Sequence, residues 1–145
     1  MVDSYQVYEA RLAGADAILL ITAALEPIEL AQLSHLAREL GLAALIEVHD
    51  QEELMQALET SPELIGVNSR NLSTFETDLT AAAELLNKIP DSIVSVAESG
   101  LRNRRDIETL RQAGADAFLI GEGLMRSQHP GDKLRQLAEI KGSAS

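Results

Sequence analysis

The 145-residue sequence contains no cysteine and no tryptophan, and only two tyrosines and two phenylalanines. The absence of cysteine excludes disulfide bonds, thiolate catalysis and thiolate metal sites. With so few aromatic side chains, the core is predicted to be aliphatic. The sequence also lacks a signal peptide and an apolar run long enough to cross a bilayer. These absences predict a cytoplasmic protein with no membrane partner.

Positive charge is scarce as well, with 12 Lys and Arg against 23 Asp and Glu and a net charge of −11. That balance argues against nucleic acid as a partner. It leaves room for a phosphorylated small molecule or inorganic phosphate, because backbone amides and one or two arginines can bind phosphate locally. The length and the apolar content of 46% predict a single domain, residues 1–145, with a real core.

Short apolar runs alternate with amphipathic segments along the whole sequence. Strands are predicted at 17–22, 43–48, 64–68, 93–97 and 117–120, and helices at 4–13, 27–40, 50–60, 78–89, 103–113 and 131–140. The strand runs are continuously apolar, which predicts burial on both faces and a parallel sheet covered by helices. Asp50 is predicted to cap its helix, with Glu53 completing a capping-box pair.

One pentapeptide occurs twice, Ala-Gly-Ala-Asp-Ala at 13–17 and again at 113–117. The simpler explanation is a shared helix-to-strand turn, in which glycine supplies the left-handed cap and alanine allows close packing. Descent from a duplicated unit is the alternative.

Polar residues stand at the ends of three predicted strands, where a parallel α/β enzyme builds its active site. Glu47 and Glu98 are carboxylates at the ends of otherwise apolar strands, so each is a candidate general acid or base. Asn68 could orient a substrate hydroxyl. Arg70 could bind a carboxylate or phosphate, or could serve as a structural partner of Glu47 or Glu98.

Glycine-rich loops follow the last two strands, at Ser99-Gly100 and at Gly121-Glu122-Gly123. Glycine lets backbone amides approach an anion, and in parallel barrels the loops after the last two strands commonly bind phosphate. His35, His49 and His129 show no metal-ligand spacing, and surface or loop roles are predicted for all three.

The ordered motifs Ile-Glu-Val-His-Asp, Ile-Gly-Val-Asn-Ser-Arg-Asn-Leu, Val-Ala-Glu-Ser-Gly and Phe-Leu-Ile-Gly-Glu-Gly resemble those of indole-3-glycerol-phosphate synthases. The resemblance covers residues 3 to about 137. It implies a (βα)8 barrel that cyclises 1-(2-carboxyphenylamino)-1-deoxyribulose 5-phosphate to indole-3-glycerol phosphate, a lyase reaction of tryptophan biosynthesis. It implies no metal and no organic cofactor.

By the same resemblance, Glu47 corresponds to the general acid/base of the dehydration step and Asn68 to a catalytic residue that positions a substrate hydroxyl. The other implied contacts are to substrate, by Arg70, Glu98, Ser99, Leu19 and Leu20, and to phosphate, by Gly100, Gly121 and Glu122. Glu122 departs from the small or hydroxyl residue often seen there, and a carboxylate beside a phosphate would weaken its binding unless it points away.

The family also places a catalytic lysine at the end of its third strand, and this sequence offers no counterpart. Its lysines are Lys88, Lys133 and Lys141, all in or beside predicted helices. A complete barrel needs about 250 residues. The sequence therefore corresponds to helix 3 through helix 8 of the family, and little turnover is expected from it alone.

The expected fold is α/β, a parallel five-stranded (βα)5 partial TIM barrel. Unpaired edge strands would let it open to a flavodoxin-like sheet or be completed by self-association as a homo-oligomer. The alternative function is a non-catalytic half-barrel module with at most residual phosphate binding. A relative of phosphoribosylanthranilate isomerase is disfavoured by Glu47 and the Asn68–Arg70 motif.

Overall fold

The computed structural model describes residues 1–70 and 77–138. The strands are β1 (Ala17–Ile21), β2 (Ala43–Val48), β3 (Leu64–Asn68), β4 (Val94–Glu98) and β5 (Ala117–Leu119). The helices are α1 (Ser4–Leu12), α2 (Pro27–Glu39), α3 (Gln51–Leu58), α4 (Leu79–Leu86), α5 (Arg104–Gln112), α6 (Glu122–Met125) and α7 (Pro130–Ala138). A 3-10 turn, Thr22–Ala24, follows β1. In the described ranges, no helix combines the length and apolar character needed to span a bilayer.

The five strands form one parallel sheet whose spatial order follows the chain, β1-β2-β3-β4-β5. The predicted open, five-stranded α/β sheet is confirmed. Successive strands of a (βα)8 barrel are neighbours in this way, whereas a flavodoxin-like sheet has the order 2-1-3-4-5. Within the described residues, β1 and β5 are each paired along one edge only.

The two faces of the sheet differ in burial. One face packs against the helices and supplies fully buried side chains such as Ile46 and Ile65, both 0% exposed. On the opposite face, Val94 and Leu119 are 44% and 52% exposed. The expectation of burial on both faces is therefore wrong. A closed barrel fills this second face with layers of side chains, but within the described residues it is left open.

The repeated pentapeptide forms the same turn at both of its positions. Gly14 and Gly114 have φ values of 83° and 105°, in the left-handed region that favours glycine. In each case the amide of the following alanine donates to the helix carbonyl five positions back, Ala15 to Ala10 and Ala115 to Leu110, both at 3.0 Å. This is a Schellman cap, so the shared-turn explanation accounts for the repeat.

The start of α3 differs in one respect from the predicted capping box. The Asp50 side chain accepts from the Glu53 amide at 2.9 Å, as expected. The Glu53 carboxylate, however, accepts from the amide of His49 at 2.7 Å and not from that of Asp50. The reciprocal bond is thus shifted by one residue, and it ties the end of β2 to α3.

Candidate active site

The register of the sheet brings the strand-end residues to one edge. Glu47 of β2 lies beside Gly66 of β3, and Asn68 of β3 lies beside Glu98 of β4. Residues paired across parallel strands face the same side of the sheet. Glu47, Asn68 and Glu98 therefore point from neighbouring strands toward the open face.

Glu47 and Glu98 form a buried carboxyl pair, with residue exposures of 6% and 4%. Burial, a hydrogen bond to Glu47 and the negative charge of Glu47 together raise the pKa of Glu98 to about 8. Two adjacent carboxyl groups in an apolar setting cannot both ionise readily. At neutral pH, Glu98 accordingly keeps its proton.

Gly66 makes this pairing possible. A Cβ at position 66 would collide with the Glu98 carboxyl group and would lie 3.3 Å from Leu45 Cδ1. The missing side chain leaves space for Glu98 to reach across β3 toward Glu47. Sequence reasoning did not single out Gly66; an isolated glycine inside a strand pattern, which suggests close approach by another group, was the available signal.

His49 is a second residue that sequence reasoning missed. Its side chain is only 13% exposed, and Nε2 lies 3.4 Å from Glu47 Oε1. Its Nδ1 lies 3.1 Å from Glu53 Oε2 on α3. His49 lies in the loop between β2 and α3, as one of the two predicted roles has it, but it is not a surface residue, because the shifted cap of α3 holds the imidazole against Glu47.

Asn68 and Ser69 fix the junction between β3 and β4. The Asn68 side-chain oxygen accepts from the backbone amide of Arg70 at 3.0 Å. The Ser69 hydroxyl lies 3.2 Å from the carbonyl oxygen of Glu98 and 3.1 Å from that of Ser99. The bonds from Ser69 hold the ends of the two strands together, which fixes the positions of Asn68 and Glu98 relative to each other.

Arg70 pairs with Glu122 in the described part of the chain, and not with Glu47 or Glu98. The other oxygen of the Glu122 carboxylate lies 2.8 Å from Arg126 Nη2. The hydrogen bond from Arg70 and the charges of Arg126 and Arg70 lower the pKa of Glu122. The carboxylate thus points into the site and stays ionised.

The loops predicted to bind phosphate border one cavity of about 950 Å³. Ser99 and Gly100 have φ values of 60° and 68°, so two consecutive residues adopt the left-handed conformation. For serine this conformation costs roughly 1–2 kcal/mol, and such strain occurs often at functional sites. Glu98, Gly100, Gly121 and Glu122 all line this cavity, together with Arg70, Arg102 and Arg126.

Leu19 and Leu20 are not brought to the same place. Leu19 is partly exposed and pairs in register with Leu45, while Leu20 is 0% exposed and belongs to the core. Successive strand residues face opposite sides, so only Leu19 can line the open face. Ile21, which pairs with Glu47, is the nearer apolar neighbour of the carboxyl pair.

Neither of the two lysines in the described ranges is at the end of a strand. Lys88 Nζ donates to Gln51 Oε1 at 2.7 Å, and Lys133 Nζ donates to the Arg102 carbonyl at 2.8 Å. Lys141 lies outside the described residues. In the described ranges, no three histidine, aspartate or glutamate side chains are grouped as metal ligands would be.

The chain is similar over most of its length to known enzymes. The family model described as "Indole-3-glycerol phosphate synthase" matches residues 1–137. The enzyme of that name from Paracidovorax citrulli (strain AAC00-1) is 50% identical over 137 residues, which cover 94% of this chain and 52% of the relative. The one from Variovorax paradoxus (strain S110) is 49% identical, with the same coverage. The chain thus spans about half the length of these relatives.

A solved structure with the same fold is the N-acetylmannosamine-6-phosphate 2-epimerase from Clostridium perfringens. It superposes with a TM-score of 0.70 at 14% identity, over 84% of this chain and 56% of the epimerase chain. At that identity the likeness concerns the fold alone. The family match, in contrast, takes in all five strands and the strand-end residues Glu47, Asn68 and Glu98. The chain therefore belongs to the indole-3-glycerol phosphate synthase family.

Proposed function

We propose that this chain supplies the later strand ends of the active site of an indole-3-glycerol phosphate synthase. The reaction converts 1-(2-carboxyphenylamino)-1-deoxyribulose 5-phosphate to indole-3-glycerol phosphate, carbon dioxide and water. The observation that carries the proposal is the buried Glu47–Glu98 pair at the border of an arginine-lined cavity. It occurs in a chain about half identical to enzymes of that name.

Glu47 acts as the general acid/base of the dehydration step in this proposal. Loss of water needs one group that protonates the departing hydroxyl and one that removes a proton from the substrate. Because Glu98 holds a proton at neutral pH, the pair offers a proton donor directly beside the second carboxyl group, that of Glu47. His49 fixes the orientation of Glu47 by contacting its carboxylate on the side of α3.

Substrate binding falls to the residues around this pair. Asn68 orients a substrate hydroxyl, and Arg70 holds negative charge beside it. The backbone amides of Gly100, Gly121 and Glu122 bind the phosphate, with the cavity arginines providing positive potential around it. Leu19 and Ile21 supply apolar surface for the aromatic ring on the open face.

The chain alone is proposed to have no meaningful turnover. No lysine stands at a strand end in the described ranges, and ring closure needs a general acid. Such an acid typically contributes about 10²–10⁴-fold in rate. The loss of substrate-positioning groups on the strands that the open face lacks would multiply this deficit.

Complementation tests the proposal. The chain is mixed with a fragment of the Paracidovorax citrulli enzyme that contains the part lying outside the match, and product is followed by indole fluorescence. We expect no product from either piece, product from the mixture, and none from a mixture containing Glu47→Gln. Turnover by the chain alone at the rate of a full-length enzyme would overturn the proposed inactivity. A fully active Glu47→Gln mixture would overturn the role of Glu47.

A non-catalytic half-barrel module is the second candidate, favoured by the face and the β1 and β5 edges that the described residues leave uncovered. Exposed apolar strands such as β5 invite pairing with another chain, so this candidate includes self-association through the edges. Light scattering distinguishes a monomer from a self-associated dimer. A mass of one chain excludes self-association, and a mass of two chains supports it. A mixture that forms a stable complex but makes no product would favour the module.

A further inference from the structure

The Glu122 carboxylate is bound as a ligand anion would be. Arg70 contacts one of its oxygens, and Arg126 Nη2 lies 2.8 Å from the other. Two guanidinium groups from different parts of the chain thus share a single carboxylate. Arginine binds carboxylates and phosphates with the same donor geometry, so these two side chains would suit a phosphate equally well.

A third arginine contributes to the same place. Arg102 lines the cavity with Arg70 and Arg126, and the charges of all three help to lower the pKa of Glu122. Among the described residues that line the cavity, the other carboxyl group is that of Glu98, which is neutral at pH 7. In a chain of net charge −11, the described lining of the cavity therefore concentrates positive charge, from three arginines around the ionised carboxylate of Glu122.

Stabilisation of the fold is a weak explanation for this arrangement. The side chains of Glu122 and Arg126 are 44% and 80% exposed, and ion pairs this open to solvent contribute little to stability. The carboxylate instead faces the cavity bordered by Gly100 and Gly121, the glycines of the two predicted phosphate loops.

We propose that Glu122 is an internal counter-ion that occupies the arginines of the phosphate subsite, and that a phosphate-bearing ligand binds by displacing it. This inference rests on the phosphate subsite of the proposed function. Glu122 then sets the affinity of the site: a ligand with a dianionic phosphate can replace the carboxylate on Arg70 and Arg126, whereas a weakly charged ligand cannot. The residue acts on ligand selection and not on the chemistry of the carboxyl pair.

Inorganic phosphate is the probe that tests the inference. It is titrated at pH 7 and constant ionic strength into the unaltered chain and into Glu122→Gln, while the backbone amide signals of Gly100 and Gly121 are followed by NMR. Removing the competing carboxylate should lower the Kd for phosphate by about three- to tenfold. Glu122→Ser, which removes the side chain as well as its charge, should tighten binding at least as much.

Glu108→Gln is the matched control. Glu108 forms an exposed pair with Arg104 at 2.8 Å, so the substitution makes the same change in net charge away from the cavity lining. We expect its Kd to stay within about twofold of the unaltered chain, since Glu108 does not line the cavity and surface charges are screened at ordinary ionic strength. Thermal unfolding of each variant establishes that the fold is retained.

The outcomes separate the inference from the function on which it rests. Equal phosphate binding by the unaltered chain, Glu122→Gln and Glu122→Ser would overturn the inference and leave the phosphate subsite in place. Equal tightening by Glu108→Gln would overturn it too, because the effect would then be one of net charge. If no variant shifts the Gly100 and Gly121 amides, both the phosphate subsite and the inference fail.

Discussion

Glu98 and Glu122 are the same residue type near the ends of neighbouring strands, yet their pKa values move in opposite directions. Glu98 is 4% exposed and lies against another carboxyl group, so its pKa rises to about 8. Glu122 is half exposed between two arginines, so its pKa falls. The comparison teaches that burial and immediate partners decide the protonation of a strand-end carboxyl group. Position in the fold alone does not.

The buried member of this comparison should dominate the pH dependence of stability. With a folded pKa of about 8 against an ordinary value of 4.5, folded Glu98 holds a proton that the unfolded chain releases across this window. Stability therefore falls as pH rises from about 4.5 to about 8, by at most about 1.4 kcal/mol per pH unit from this group. Glu98→Gln cannot titrate, so it should gain stability relative to the unaltered chain over that range.

Urea unfolding at several pH values measures this effect. The difference in unfolding free energy between Glu98→Gln and the unaltered chain should grow with pH and level off above about 8. Parallel curves for the two proteins would contradict the assignment of the raised pKa to Glu98.

Gly66→Ala should break the buried pair by steric means and cause the next largest effect. The added Cβ would meet the Glu98 carboxyl group, which is the end of a flexible side chain but cannot move without leaving Glu47. Overpacking of this kind typically costs about 1–3 kcal/mol, measurable by urea unfolding at pH 7.

Gly131→Ala is the matched control for that substitution. Gly131 lies in α7, and apart from its chain neighbours and the nearby backbone of that helix, no described atom is within 4 Å of an added Cβ. Alanine in a helix is more favourable than glycine by roughly 0.5–1 kcal/mol, so this variant should be as stable as the unaltered chain or slightly more so. Equal losses from the two substitutions would show that the space at Gly66 is not specific to Glu98.

Glu122→Gln should have the smallest effect on stability, because it removes only a half-exposed ion pair. The change in unfolding free energy should be small, as is typical of solvent-exposed pairs, and should shrink further when salt is added. Thermal unfolding at low and high ionic strength measures it. If Glu122→Gln lowered the unfolding free energy as much as Gly66→Ala does, the environments of Glu122 and Glu98 would not differ in their contribution to stability.

Parts of this site could be predicted from the sequence because parallel strands present their carboxyl ends at one edge. That rule was enough to group Glu47, Asn68 and Glu98. It could not supply the partner of Arg70, since Glu122 is 52 positions away in the chain. Nor could it supply His49, whose burial depends on a capping bond in the first turn of α3.

The open face shows a second property that the sequence alone does not predict. A continuous apolar run such as Ala17–Ile21 shows that a strand suits an apolar environment, but it does not say which chain provides that environment. Leu20 is covered by the helices, while its neighbour Leu19 is only partly covered. A prediction from apolar runs alone therefore placed both leucines correctly in a strand but could not separate their faces.

The strand order of the sheet, which follows the order of the chain, affects how the molecule unfolds. Over residues 1–70 and 77–138, each strand is paired only with the strands that precede and follow it in sequence, as the units of a solenoid contact only their neighbours. Unfolding is then cooperative through the contacts between neighbouring strand-helix units along the sheet. The two end units have one neighbour each, and β5 is paired over only three residues. Local opening should begin there, so the amides of β5 are expected to exchange with solvent well before those of β2 and β3.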